Sequence, residues 1–139
     1  MISSLLVSDK NTRELRSFFI TSVCSSVFCF IFYFIYNIFS HGVHSPFMTY
    51  LFAWPLLLCA VPAGICMLVR SIPGPSVLSS LLWGTGTAAV TVSSLLRGVF
   101  EIAGNSSVYQ QYMMAAGLVF LLAGLAAYAA GIVIVRKIR

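Results

Sequence analysis

Charged side chains are scarce in this sequence, at 8 % of its 139 residues, whereas hydrophobic residues make up 60 %. A soluble domain has about 25 % charged residues, so this composition excludes a surface that faces water on all sides. The apolar runs are joined by short loops, which leave no room for a soluble domain, a nucleotide-binding loop or a water-facing catalytic set. We therefore predict a protein that is not an enzyme and that acts within a membrane or through a partner.

A second absence excludes a disulfide framework, since the sequence has no Cys-x-x-Cys motif and no cysteine in a predicted loop. All four cysteines fall inside long apolar runs, where thiols behave mainly as small buried hydrophobic groups. They are Cys24, Cys29, Cys59 and Cys66. We predict no metal site.

What the sequence does contain is a set of four long apolar runs, at residues 18–39, 47–69, 77–96 and 113–135. A helix needs about 20 apolar residues to cross a bilayer core of about 30 Å, and each run meets that length. None of them alternates in the manner of a membrane β-barrel strand. We therefore predict a single all-α membrane domain over residues 1–139, built as a four-transmembrane-helix bundle with short loops.

The basic residues are distributed unevenly between the two sides of such a bundle. Arg97 alone falls on the side of the first and third loops, and the other seven of the eight basic residues fall opposite. Those seven are Lys10, Arg13, Arg16, Arg70, Arg136, Lys137 and Arg139. By the positive-inside rule, this pattern predicts a multi-pass protein of the plasma membrane with both termini in the cytoplasm. The membrane we expect is a bacterial cytoplasmic membrane, and the basic excess indicates contact with lipid heads rather than with nucleic acid.

Individual residues predict where the helices begin, end and break. Asn11 is a candidate N-cap for the first helix and Ser76 for the third, because short polar side chains can accept hydrogen bonds from free N–H groups. The third helix is predicted to continue through Ile102. Pro55 and Pro62 predict breaks in the second span, since proline removes a backbone donor.

The fourth span carries Ala-Gly pairs at intervals of seven residues. This spacing keeps one face towards a neighbouring helix, and small residues let membrane helices approach closely. We predict a helix-packing seam, within the molecule or between copies, with a small-molecule groove as the alternative. The seam consists of Ala116, Gly117, Ala123, Gly124, Ala130 and Gly131.

The third span carries a stripe of small and weakly polar residues that ends at Glu101. Steps of four and three place these residues on one helical face. The stripe is either a packing surface whose hydroxyls bond back to carbonyls one turn earlier or the wall of a polar path. Its members are Ser80, Gly84, Thr87, Thr91, Ser94 and Gly98.

Arg97 and Glu101 stand four residues apart at the end of that stripe. They are predicted to form an ion pair at the membrane interface, with the arginine stem snorkelling towards water. The alternative is a functional contact with a substrate or a partner, because ionisable groups inside a membrane often mark function.

Two histidines share the loop before Pro46. We interpret His41 and His44 as parts of a polar turn at the membrane surface. One of them is alternatively a contact for haem, quinone or a metal, although haem takes ligands from both faces of the porphyrin and one short loop seldom supplies both.

Three functional hypotheses follow. The first is an accessory or structural subunit that binds other membrane subunits, or a second copy, through its small-residue seams. The second is a small transporter or channel subunit that uses the third-span stripe and Glu101. The third is an electron-transfer subunit that binds haem or quinone near His41 and His44.

Overall fold

The computed structural model describes residues 2–40, 45–69, 74–105 and 107–138, which are almost entirely helical and contain no strand. The long helices are α1 (Ile2–Phe39), α5 (Val77–Ile102) and α6 (Tyr109–Ile138). Between α1 and α5 the chain forms the short helices α2 (Pro46–Thr49), α3 (Ala53–Pro55) and α4 (Val61–Leu68), with a π-helical turn at Leu56–Ala60. We call residues 46–68 the broken segment.

Two of the helices are long and apolar enough to cross a membrane. The qualifying stretches are Thr12–Phe39 in α1 and Tyr109–Ile134 in α6. The apolar helical stretch Ala53–Leu68 of the broken segment is shorter. Serine, threonine and glycine side chains lower the hydropathy of α5, although its 26 residues give it a length of about 39 Å.

The ends of the helices show where local sequence signals decide structure. Ser76 caps α5, since its hydroxyl accepts a hydrogen bond from the backbone N–H of Ser79, and α5 ends at Ile102, so both predictions are confirmed. The prediction for Asn11 was wrong, because α1 begins at Ile2 and runs through that position. Asparagine inside a helix costs less than about 1 kcal/mol relative to alanine, which is too little to start or stop a helix by itself.

Helix α5 ends in a Schellman motif that turns the chain towards α6. Gly104 has a φ of 68°, a left-handed conformation that glycine adopts without a steric penalty. The N–H of Asn105 bonds to the carbonyl of Phe100, and the N–H of Gly104 bonds to that of Glu101. These two bonds satisfy carbonyls that have no partner within the helix.

Helices α5 and α6 form an antiparallel hairpin whose backbones nearly touch. An added Cβ at Gly117 would lie 2.9 Å from the backbone nitrogen of Val90, and one at Gly86 would lie 2.9 Å from the carbonyl oxygen of Gly117. Towards the other end of the hairpin, the hydroxyl of Ser79 donates to the carbonyl of Gly124. Only glycine leaves enough space for this approach.

The broken segment packs between α1 and α5, and side chains from both helices satisfy its freed carbonyls. Pro62 has no N–H to give to Leu58, and the indole N–H of Trp83 donates to the Leu58 carbonyl instead. The hydroxyl of Ser26 on α1 donates to the carbonyl of Phe52 at 2.8 Å. Breaks of this kind are tolerated inside membranes when neighbouring groups supply the missing hydrogen bonds.

Candidate functional site

The α5 stripe faces the interior of the molecule, and its hydroxyls are largely bonded to the protein itself. Thr87 donates to the carbonyl of Trp83 at 2.9 Å, and Thr91 donates to that of Thr87 at 2.8 Å. The thiol of Cys59 donates to the hydroxyl of Thr87 from the broken segment. These bonds to preceding carbonyls are those expected of a packing surface.

Other members of the stripe have different neighbours. Ser94 is fully buried and its hydroxyl has no hydrogen-bond partner. Gly98 lies against Met48 of α2, whose backbone nitrogen would be 3.3 Å from an added Cβ. Gly84 faces the ring of Phe18 on α1. The stripe therefore contacts different elements along its length.

A lateral groove runs between α1 and α5 and is open to the surface. It has two parts, of about 610 and 630 Å³. Pro55 and Cys59 of the broken segment form part of its floor, and Glu14 lies at one end. Both walls consist mainly of small side chains.

The exposed residues on both walls recur at helical spacing. One row on α1 consists of Ser17, Thr21, Ser25 and Phe28, and one row on α5 consists of Leu81, Thr85, Ala88 and Val92. The exposed lining residues outside these two rows are Glu14, Cys24 and Val77. Steps of three and four residues keep each row on one helical face. The groove therefore presents two parallel rows of small or apolar side chains, and no neighbour within the described chain covers them.

Ser80, Gly84, Thr87 and Thr91 of the predicted stripe line the α5 wall, but sequence reasoning missed the exposed row beside them and the whole α1 wall. The available signal was the four-residue spacing of Ser17, Thr21 and Ser25. The dense aromatic residues of the same helix obscured it.

A partly open pocket of about 250 Å³, which we call the internal pocket, lies where α1, the broken segment, α5 and α6 meet. It is lined by the aromatic side chains Phe18, Trp83 and Tyr128, together with Cys66 and Leu125 among others. None of its lining residues is charged. The pocket shares lining residues with both parts of the lateral groove, so it lies directly beside them.

Phe18 occupies the junction of these spaces, because it lines the internal pocket and both parts of the lateral groove. Its ring lies 3.4 Å from the position of an added Cβ at Gly84. This ring therefore bridges from α1 to α5 and separates the two parts of the groove.

Arg97 and Glu101 contact Phe47, near the start of the broken segment, and the preceding residue Ser45. The Arg97 guanidinium carbon lies 4.0 Å from the centroid of the Phe47 ring. The hydroxyl of Ser45, a buried residue, donates to a carboxylate oxygen of Glu101. Both charged residues are exposed, and together they hold residues 45–47 against α5.

The predicted seam on α6 divides into a contacted part and an open part. Gly117 and Gly124 lie against the α5 backbone, whereas an added Cβ at Gly131 would have no neighbour within 4 Å. Ala116 and Ala130 are exposed, and Ala123 is half-buried. The intramolecular contact thus uses the two glycines nearer the hairpin turn.

His41 and His44 lie outside the described residues, as do Arg70 and Arg139. Within the part of the chain that the structure describes, no group of three or more His, Cys, Asp or Glu side chains is placed to hold a metal ion. Comparison with known protein families, with curated proteins and with solved structures found no match to this chain.

Proposed function

We propose that this protein is a four-span membrane subunit that binds a transmembrane helix of a partner protein in its lateral groove. The observation that carries the proposal is the pair of rows of small or apolar residues on α1 and α5, which are exposed although the α5 stripe beside them is packed. Small residues at such surfaces let helices approach closely, and packing of this kind drives helix association in lipid.

The membrane part of the proposal is supported by an inverted distribution of polarity. Serine and threonine side chains are prominent among the buried residues, whereas large hydrophobic side chains such as Phe34, Leu68 and Leu122 are exposed. Only 17 % of each spanning stretch in α1 and α6 is buried. The core helix of a soluble protein would instead be mostly buried, and soluble proteins rarely expose so large an apolar surface to water.

The four-span count is supported by the internal hydrogen bonds of α5 and the broken segment. Four α5 hydroxyls donate to carbonyls within the protein, and Ser26 and Trp83 donate hydrogen bonds to carbonyls of the broken segment. Both elements can therefore contact lipid with their apolar faces. The bonds of Thr87 and Thr91 argue against a polar transport path along the stripe, because these two hydroxyls are already engaged.

Site-specific photocrosslinking in native membranes tests the docking proposal. A benzoylphenylalanine at Thr21 or Thr85, one on each groove wall, is expected to give a discrete protein adduct. The same probe at Leu122, which is exposed on α6, is expected to give lipid adducts only. The mass of the adduct distinguishes a different protein from a second copy.

A matched pair of variants completes the test. Ala88→Trp fills the groove and is expected to abolish the Thr85 adduct, whereas Ala129→Trp on the exposed surface of α6 leaves it unchanged. If the groove positions crosslink to protein no better than Leu122 does, the proposed function is wrong.

A further inference from the structure

The lining of the internal pocket favours one class of ligand, an apolar one. Three of its polar lining groups are bonded inside the protein: Ser79 donates to Gly124, Trp83 donates to Leu58, and Cys59 donates to Thr87. A polar ligand would find few free donors or acceptors here. Water is also disfavoured, since a buried water needs two to four polar partners.

The size of the pocket indicates what an apolar ligand would be. An apolar cavity of about 150 Å³ accommodates benzene, and this pocket measures about 250 Å³. It therefore has room for a longer stretch of hydrocarbon.

The entrance determines where that ligand comes from. Leu15, Phe18, Pro75 and Ser80 line both the internal pocket and the lateral groove. The pocket therefore borders the groove, and we infer that its entrance lies on this side, between α1 and α5. In a membrane-embedded protein this direction leads into the hydrocarbon of the bilayer.

We propose that the internal pocket binds one hydrocarbon chain of a membrane phospholipid, which enters through the lateral groove. The inference rests on the membrane part of the proposed function. The chain inserts between the rings of Phe18, Trp83 and Tyr128 and replaces the contacts that an empty pocket would lack. A partner helix lying over the groove would then cover the bound chain.

The fluorescence of Trp83 reports occupancy directly. The sequence has two tryptophans, so Trp54→Phe leaves Trp83 as the single emitter. In vesicles of phospholipid brominated along its acyl chains, strong quenching is expected relative to unbrominated vesicles. Quenching seen only when the bromine is on added free fatty acid would overturn phospholipid as the occupant.

Filling the pocket separates a chain inside it from lipid outside the protein. Ala63→Leu occupies the pocket and Ser80→Leu blocks its mouth, and both are expected to lose most of the quenching. Ala129→Leu, the matched control on exposed α6, retains it. Circular dichroism confirms that each variant is folded. If Ala63→Leu does not fold, Ser80→Leu provides the test by itself. Equal quenching in a folded pocket variant and in the control would overturn the inference.

The two proposals fail in different experiments. If pocket variants change nothing but the Thr85 adduct forms, the pocket inference is wrong and the docking proposal stands. If quenching depends on the pocket but no groove adduct forms, the reverse holds.

Discussion

Single side chains compensate for the hydrogen bonds that proline removes from the broken segment. Trp83 is placed on α5 so that its indole N–H reaches the Leu58 carbonyl, which Pro62 cannot serve. The sequence shows the prolines and therefore the break, but it does not show which residue repairs it. That information depends on how α5 packs against residues far away along the chain.

A double-mutant cycle measures this compensation. Trp83→Phe keeps an aromatic ring but leaves the Leu58 carbonyl unsatisfied, at an expected cost of about 1–3 kcal/mol in the free energy of unfolding. In a Pro62→Ala background the residue at 62 regains an N–H that can bond to Leu58. The cost of Trp83→Phe should then be smaller, as measured by unfolding in mixed detergent micelles. An equal cost in both backgrounds would mean that the ring, and not the N–H, matters.

Arg97 and Glu101 show that the spacing of two residues on one helix does not reveal their contacts with other elements. Their separation of four residues suggested an ion pair, whereas each side chain contacts the segment of residues 45–47. A local pattern gives the neighbours on one helix only. It cannot reveal that a second element lies beside that helix and offers a ring and a hydroxyl.

At the scale of elements, the α5–α6 hairpin is the most predictable part of the fold. The seven-residue repeat on α6 indicated a seam, and Gly117 and Gly124 do lie against the backbone of α5. The repeat could not indicate where contact stops, because Gly131 belongs to the same pattern and has open space around it. The extent of contact depends on where the partner helix lies, not on the pattern itself.

Alanine substitutions at Gly117 and Gly131 test the close approach of α5 and α6, with Gly131 as the control position. Gly117→Ala brings a methyl group to 2.8 Å from a Val90 side-chain carbon and 2.9 Å from its backbone nitrogen. We expect a loss of about 1–3 kcal/mol in unfolding free energy, the usual cost of overpacking. Gly131→Ala meets no neighbour and should be neutral or gain up to about 1 kcal/mol, since alanine favours the helix. Detergent unfolding followed by circular dichroism compares the two, and equal stability would contradict the close approach.

At the scale of the whole molecule, several exposed tyrosines lie at the end of the bundle where α1 and α5 end. Tyr50, Tyr109 and Tyr112 are exposed there, near the loops that follow α1 and α5, as are Arg97 and Glu101. Tyrosine is enriched at membrane–water interfaces. This placement is consistent with an interface at the end that carries one basic residue, opposite the end that carries most of them.

Cysteine labelling tests the predicted orientation. In a background without native cysteines, Ala103→Cys in the α5–α6 turn should react with an impermeant maleimide added to intact cells. Ser76→Cys at the start of α5 should react only after permeabilisation. Both positions are exposed, so burial does not explain a difference. The opposite pattern would invert the topology, and labelling of both positions would contradict a fixed one.

The bonding of the α5 hydroxyls has a consequence for how the protein is made. Ser79 and Ser93 donate to carbonyls of Gly124 and Gln110 on α6, and both helices must be present before those bonds exist. A newly synthesised α5 alone would offer its serines to lipid, which provides no acceptor in its core. In the proposed four-span arrangement we therefore expect α5 to insert more efficiently together with α6, as one hairpin, than by itself.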